Sequence, residues 1–234
     1  MKKVLFLLKN KSRLTIIFSF LIHKTTSFFY KRKNIRYKRI HQNILKNKKI
    51  TNDYFSKNAY NFYLYLNKLN KNFKYLEIGS YEGNSSIFVS NNFTKSTVCC
   101  VDNWIGTEEY KENISFSKIE KNFDFNVLGL KNIYKIKTDS NNFFKENKEY
   151  YDAIYIDGYH FGPQVYQDCK NAWRVLNENG ILICDDYILD CYKDITHNPC
   201  FAINKFLNEI KNSFKILKVS NNQIFIKRRG GRVV

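Results

Sequence analysis

The stretch 74–86, Lys-Tyr-Leu-Glu-Ile-Gly-Ser-Tyr-Glu-Gly-Asn-Ser-Ser, constrains this chain more than any other. A short apolar run (Tyr75, Leu76, Ile78) stops at Gly79, and Gly83 follows four residues on. Asn84, Ser85 and Ser86 then offer capping side chains ahead of Ile87, Phe88 and Val89. The pattern predicts a buried strand, a tight glycine turn and a helix start. Gly79 lets the backbone turn sharply, and Gly83 lets a ligand approach the main chain. The N–H groups opening such a helix favour an anion such as a carboxylate. Glu77, at the strand's end, is an acceptor placed to read a donor on the same ligand. An ordinary strand–turn–helix corner has the same spelling, so the segment alone does not decide.

The rest of the chain repeats the alternation. Apolar runs at 97–101, 133–137, 151–156 and 181–184 read as strands, separated by helical stretches that include 141–147, 164–176 and 201–214. The stretch after Asn103 reads as helical through Ile114, Ile119, Phe123 and Val127, and residues 52–70 read as a helix ahead of the first strand. Two strands, 215–220 and 223–228, close the body around Asn221-Asn222. This order predicts an α/β fold: a doubly wound, mostly parallel, seven-stranded Rossmann-like sheet with an antiparallel C-terminal hairpin. We expect a basic helical and linker arm over 1–50, one domain over 51–229, and a short tail over 230–234.

The formal charge of +18 belongs to the arm. Fifteen Lys and Arg precede Asp53, the first acidic residue, which leaves the body close to balance. Within the arm, residues 4–8 and 14–22 are apolar but too short to span a bilayer, and no small-residue cleavage site follows them. Three readings stay open: a helix packed on the body with a solvated charged face, a basic helix lying peripherally on an anionic membrane, or a segment touching nucleic acid. Residues 31–49 read as a solvated linker, and His23 and His41 as solvent-facing. The six cysteines lack paired C-x-x-C spacing and fall largely in apolar runs, so we expect free thiols and a reducing, cytoplasmic setting.

In an open α/β sheet ligands bind beyond the C-terminal ends of the strands. There this chain places Glu77 and Gly79, then Asp102, Asp139, Asp157 with His160, and Asp185-Asp186. Asp102 ends the second strand, where a βαβ nucleotide site keeps its ribose acceptor. Asp139-Ser140 could face an adenine amino group or simply cap a helix. Asp157, Asp185 and Asp186 could converge on Mg²⁺, or else hydrogen-bond loop N–H groups. His160 is spaced to act as a general base, or to pack at the start of the next helix. His197 is a weaker candidate for touching substrate.

Leu76-Glu-Ile-Gly-Ser-Tyr-Glu-Gly-Asn-Ser-Ser86 resembles the first motif of the class I S-adenosylmethionine-dependent methyltransferases, and Val101-Asp102-Asn103-Trp104 resembles their second. The passage Tyr151-Asp-Ala-Ile-Tyr-Ile-Asp-Gly-Tyr-His160, with Asp168, Gly180 and Asp185-Asp186-Tyr187, looks like a branch that includes sugar and macrolide O-methyltransferases and is related to the cation-dependent catechol type. The resemblance covers roughly residues 53–228. It implies that Glu77, Gly79, Ser80, Gly83, Ser85, Asp102, Asn103, Trp104, Asp139, Ser140 and Asp157 frame S-adenosylmethionine. It further implies that Asp157, Asp185 and Asp186 hold a metal, and that His160 with Asp157 carries catalysis on a small hydroxylated acceptor such as a sugar or glycan precursor. Two positions depart from the pattern: the catechol enzymes have Lys where His160 stands and Asn where Asp186 stands, and the basic arm has no counterpart. A nucleic-acid methyltransferase is the rival reading. Base N-methyltransferases usually carry Asn/Asp-Pro-Pro-aromatic after the fourth strand, where this chain has Asp-Gly-Tyr-His. A non-catalytic membrane- or protein-binding module on the same fold is the other rival.

Overall fold

The computed structural model describes residues 2–106, 115–220 and 222–230. They form seven strands of a mostly parallel sheet and eight α-helices, the last two strands making an antiparallel hairpin. The chain divides into two compact units, residues 30–147 and residues 1–29 with 148–234. One long helix, α2 (Leu14–Leu45), contributes to both. The linker expected over 31–49 is therefore helical as far as Leu45.

In unit 30–147 the 3₁₀ turn Ser56–Asn58 leads into α3 (Ala59–Leu66), then β1 (Lys74–Ile78), α4 (Asn84–Asn92) and β2 (Thr97–Asp102). After these come α5 (Phe116–Val127), β3 (Ile133–Lys137) and α6 (Ser140–Glu146). Ile114, expected to begin α5, lies outside the described residues. The order β3-β2-β1 is parallel throughout, with Leu76 opposite Cys99 and Asp102 opposite Lys137. Tyr75, Leu76, Val98, Cys100 and Phe88 are buried, as near-continuous apolar runs in a parallel sheet require. β3 is more exposed along its length, and its Lys135 and Lys137 pair with Glu120 and Asp124 of α5.

His41 is a correction. Expected in solvent, it is fully buried, lies edge-on to Phe55 and Phe88, and meets Asn84 Oδ1 through Nε2 at 2.6 Å. Burial pushes its pKa down, against the pull of Asn84 and Asp53. The aromatic residues of α3 provide the surface that draws α2 in, with Tyr37 packing on Tyr60 and Tyr63.

The other unit opens with α1 (Lys2–Lys9) and the first half of α2, and continues with β4 (Tyr151–Ile156), α7 (Gly162–Val175) and β5 (Leu176–Cys184). A 3₁₀ turn at Ile195–His197, α8 (Pro199–Glu209), β6 (Phe214–Ser220) and β7 (Gln223–Arg228) complete it. Its strand order is β4-β5-β7-β6, with β4 and β5 parallel and β7 antiparallel to both neighbours. Asn221, half of the expected turn, lies outside the described residues. β5 begins five residues earlier than expected, at Leu176, and runs through Asn179 in the left-handed region (φ 62°).

The front of the chain is docked in this unit. Ser12 Oγ meets Tyr187 Oη at 3.0 Å, Tyr187 donates to Asn204 Oδ1, and Asn204 Nδ2 reaches the Asn10 carbonyl. Arg13 donates to the Leu207 carbonyl and lies over Phe214. His23 is half-buried rather than solvent-facing, and burial with the nearby Lys218 charge lowers its pKa to about 4.

Candidate active site

The glycine loop after β1 is held open from two sides. Gly79 (φ 86°) and Gly83 (φ 80°) are left-handed, a conformation that strains any residue with a Cβ. Tyr81 between them is left-handed too (φ 48°). On one side the Asp102 carboxylate accepts from the Tyr81 N–H (2.8 Å) and the Trp104 N–H (2.7 Å). Burial raises the Asp102 pKa against these backbone bonds. On the other side buried Glu82 accepts from the Thr51 N–H and hydroxyl and from Asn122, while Asn126 donates to the Glu82 carbonyl and brackets the backbone of Lys49. Thr51, Glu82, Asn122 and Asn126 escaped sequence reasoning, because polar residues spread over seventy-five positions give no local pattern.

Glu77 is fully buried and takes hydroxyl bonds from Ser85 and Ser86 at the start of α4. It ties β1 to the helix that follows. Burial raises its pKa to about 7, against the pull of the serine hydroxyls. The N-cap of α4 is Gly83, which makes no side-chain cap, so the first turn of the helix keeps its N–H groups for another acceptor. The space a side chain would take at Gly83 is filled by Phe123, 3.1 Å from an ideal Cβ. Close packing by α5 is thus one reason for glycine there. Ser80 is buried within the loop. Trp104 donates its indole N–H to the Tyr81 carbonyl and stacks obliquely on Phe123. Asn103 turns its carbonyl oxygen to the Ile105 N–H. Asp139 caps α6 through the Asn142 N–H, and Ser140 opens that helix. Asp102 and Asp139 follow the C-terminal ends of parallel neighbours, on the edge that also carries Gly79.

The other unit holds the second group. β4 and β5 are parallel, so Asp157 and Asp185 leave the sheet at the same edge. The Tyr155 hydroxyl donates toward both Asp157 (2.8 Å) and Asp185, and Gln223 donates to Asp185 at 2.8 Å. The other Asp185 oxygen accepts the Asp186 N–H. Asp186 is left-handed (φ 53°), and its carboxylate lies 2.8 Å from His160 Nε2. Asp157, His160 and Asp186 place donor atoms within 4.8 Å of one another. The three ligands expected from sequence were Asp157, Asp185 and Asp186. The structure brings His160 into the Asp157–Asp186 group and engages Asp185 with Tyr155, Gln223 and its own loop. Burial, then the Asp185 and Asp186 charges, push the Asp157 pKa well up, and burial raises Asp185 as well. Crowded, desolvated carboxylates of this kind call for a positive charge beside them.

Beside His160 stands an aromatic cluster. Tyr159 stacks on Phe161, and Phe161 contacts Tyr192 and His197, whose ring centroid is 4.7 Å away. All four residues are partly exposed. Tyr155 and Gln223 were invisible as site residues in the sequence, since each reads as one more member of a buried strand.

A family model described as a methyltransferase domain matches residues 76–187, which spans the glycine loop, Asp102 and the acidic strand ends. Over that stretch the chain is similar to the methyltransferase-domain family. Among solved structures similar to this chain is a provisionally assigned caffeoyl-CoA O-methyltransferase from Staphylococcus aureus: 15% identity, 90% of this chain, 100% of that one, TM-score 0.58. Cofactor-bound Rv0187 from MTB is similar at 12% identity over 88% of this chain and 97% of that one, with a TM-score of 0.57. The O-methyltransferase NovP is similar at 14% identity over 82% and 80%, with a TM-score of 0.52. At these identities the likeness is one of fold. No curated protein matches the chain by sequence.

Proposed function

We propose that this chain O-methylates a small hydroxylated acceptor such as a sugar or glycan precursor, with His160 as general base. The observation that carries the reading is the His160–Asp186 pair at 2.8 Å, next to partly exposed aromatic rings. Asp186 fixes the imidazole and faces the positive charge the ring gains on taking a proton. Tyr159, Phe161, Tyr192 and His197 offer ring faces on which a sugar or phenyl ring can rest while its hydroxyl is aligned. The O-methyltransferase neighbours are consistent with an oxygen acceptor.

S-adenosylmethionine fits the glycine loop on its chemistry: two left-handed glycines, a helix start without a side-chain cap, and a carboxylate closing the next strand. Gly79, Ser80, Gly83 and Asp102 would hold it, with Asp139 nearby on the strand edge. When bound it supplies a methyl group on a sulfonium, ready for in-line displacement. His160 removes the acceptor proton, and the crowded acids retain it.

A second reading has the Asp157, His160 and Asp186 donor atoms holding a divalent cation. Two carboxylates and one imidazole suit Mn²⁺ at least as well as the Mg²⁺ expected from an all-oxygen set. The two readings give His160 different duties.

Turnover with S-adenosylmethionine over a panel of sugar and phenolic acceptors, with and without chelator, tests both. His160→Ala should lower kcat by orders of magnitude with little change in cofactor affinity. Turnover that survives chelation assigns His160 as base, and turnover restored only by Mn²⁺ or Mg²⁺ assigns it as a ligand. Unchanged turnover in His160→Ala removes it from the mechanism altogether.

A further inference from the structure

Helix α2 carries an apolar stripe on the outside of the protein. Leu14 is 78% exposed, Phe18 65%, Phe28 76% and Phe29 79%, and Leu21 and Ile22 are exposed as well. From Leu14 these positions advance in steps of four and three, through Phe18, Leu21, Thr25 and Phe28, so they share one face of the helix. Ile16, Ile17 and Phe20 are buried on the other side. The helix thus packs by one apolar face and displays a second. Leu5 and Leu8 of α1 are also half exposed.

The charge along α1 and α2 has a single sign. Lys2, Lys3, Lys9 and Lys24 are exposed, and no acidic residue precedes Asp53. Farther along, the helix continues as Lys31, Arg32, Lys33, Arg36, Lys38 and Arg39. No helix among the described residues is long and apolar enough to cross a membrane.

We propose that the exposed face of α2, with α1, is a docking surface for an anionic lipid bilayer, on which the protein lies peripherally. Large apolar and aromatic side chains enter the headgroup–acyl boundary while flanking cations meet lipid phosphates. A nucleic acid would match the cations but leave the phenylalanine stripe in water. A second copy meeting it stripe to stripe would cover the apolar face but bring two sets of cations together, with no acid in either copy's first 52 residues to answer them. An anionic bilayer satisfies both halves of the surface.

The test uses the full chain in co-sedimentation with vesicles of phosphatidylcholine alone or mixed with phosphatidylglycerol. Binding should be at least about tenfold tighter to the anionic vesicles, since each juxtamembrane cation adds to it. The triple variant Phe18→Ser/Phe28→Ser/Phe29→Ser should lose about 100-fold in vesicle affinity while keeping its melting temperature, because all three side chains are exposed. A second variant, Lys2→Glu/Lys3→Glu/Lys24→Glu, should lose the preference for phosphatidylglycerol and keep the weak binding to phosphatidylcholine. Absence of wild-type binding to anionic vesicles overturns the proposal, as does unchanged binding by either folded variant. A wild-type dimer that the triple variant dissociates, without vesicle binding, overturns it in favour of a second copy. Tight oligonucleotide binding that the triple variant retains and vesicles cannot compete overturns it in favour of nucleic acid.

Discussion

Glu77 offers the sharpest physical test of how the glycine loop is supported. Its carboxyl has no exposure to solvent, accepts from Ser85 and Ser86, and is pushed by burial to about 7 from an ordinary value of 4.5. A group whose folded-state pKa is raised binds its proton more tightly in the folded chain. Its contribution to stability is therefore complete below about pH 4.5 and lost as the pH rises through about 7. The shift of roughly 2.5 units, at 1.36 kcal/mol per unit, corresponds to about 3 kcal/mol. Glu77→Gln replaces the titrating group with a near-isostere, and every other ionisable residue stays the same in both proteins. The difference in unfolding free energy between wild type and variant should therefore shift by about 3 kcal/mol against the wild type between pH 4 and pH 8. For a chain of this size that is roughly 6–12 °C in relative melting temperature. Paired denaturant titrations across that pH range measure it directly. A difference independent of pH would refute the reasoning, because it would mean that the serine hydroxyls hold Glu77 ionised despite its burial.

His41 should act in the opposite direction. Its burial lowers the imidazole pKa, so its contribution is present above about pH 6.5 and lost on acidification; His41→Phe should flatten the acid limb of the stability curve, as followed by circular dichroism. Gly83→Ala combines a left-handed backbone with a Cβ 3.1 Å from Phe123, and should cost about 1–3 kcal/mol in stability and weaken S-adenosylhomocysteine binding in calorimetry. Tyr155→Phe removes the hydroxyl shared by Asp157 and Asp185 and should destabilise by about 1–3 kcal/mol in denaturant titration. Tyr187→Phe breaks the Ser12–Tyr187–Asn204 chain, and faster hydrogen exchange over residues 10–16 should report the loosened docking of the front of the chain.

What the sequence discloses follows from how local the cause is. β4 over 151–156 and β7 over 223–228 end where the sequence pattern places them, because apolar runs bounded by turn residues carry their own limits. Gly79 and Gly83 stand out for the same reason: a left-handed backbone demands them at the position itself. Tyr155 and Gln223 were hidden because their partner Asp185 sits thirty or more residues away and becomes a partner only once the strands align. His41 reads as one more member of a basic run until Phe55, Phe88 and Asn84 close around it. The different settings of the adjacent acids were equally hidden, since a left-handed Asp186 aims its carboxylate at His160 while Asp185 turns toward Gln223.

The Glu82 network has a consequence for anyone who shortens this protein. Thr51 and Lys49 contact the same polar cluster that braces the glycine loop, so the preceding segment is not a detachable appendage. Trimming the chain to residue 52 would strip two hydrogen bonds from a buried carboxylate and slacken the glycine loop. Lost catalysis in such a fragment would report that slackening, whatever the arm itself binds.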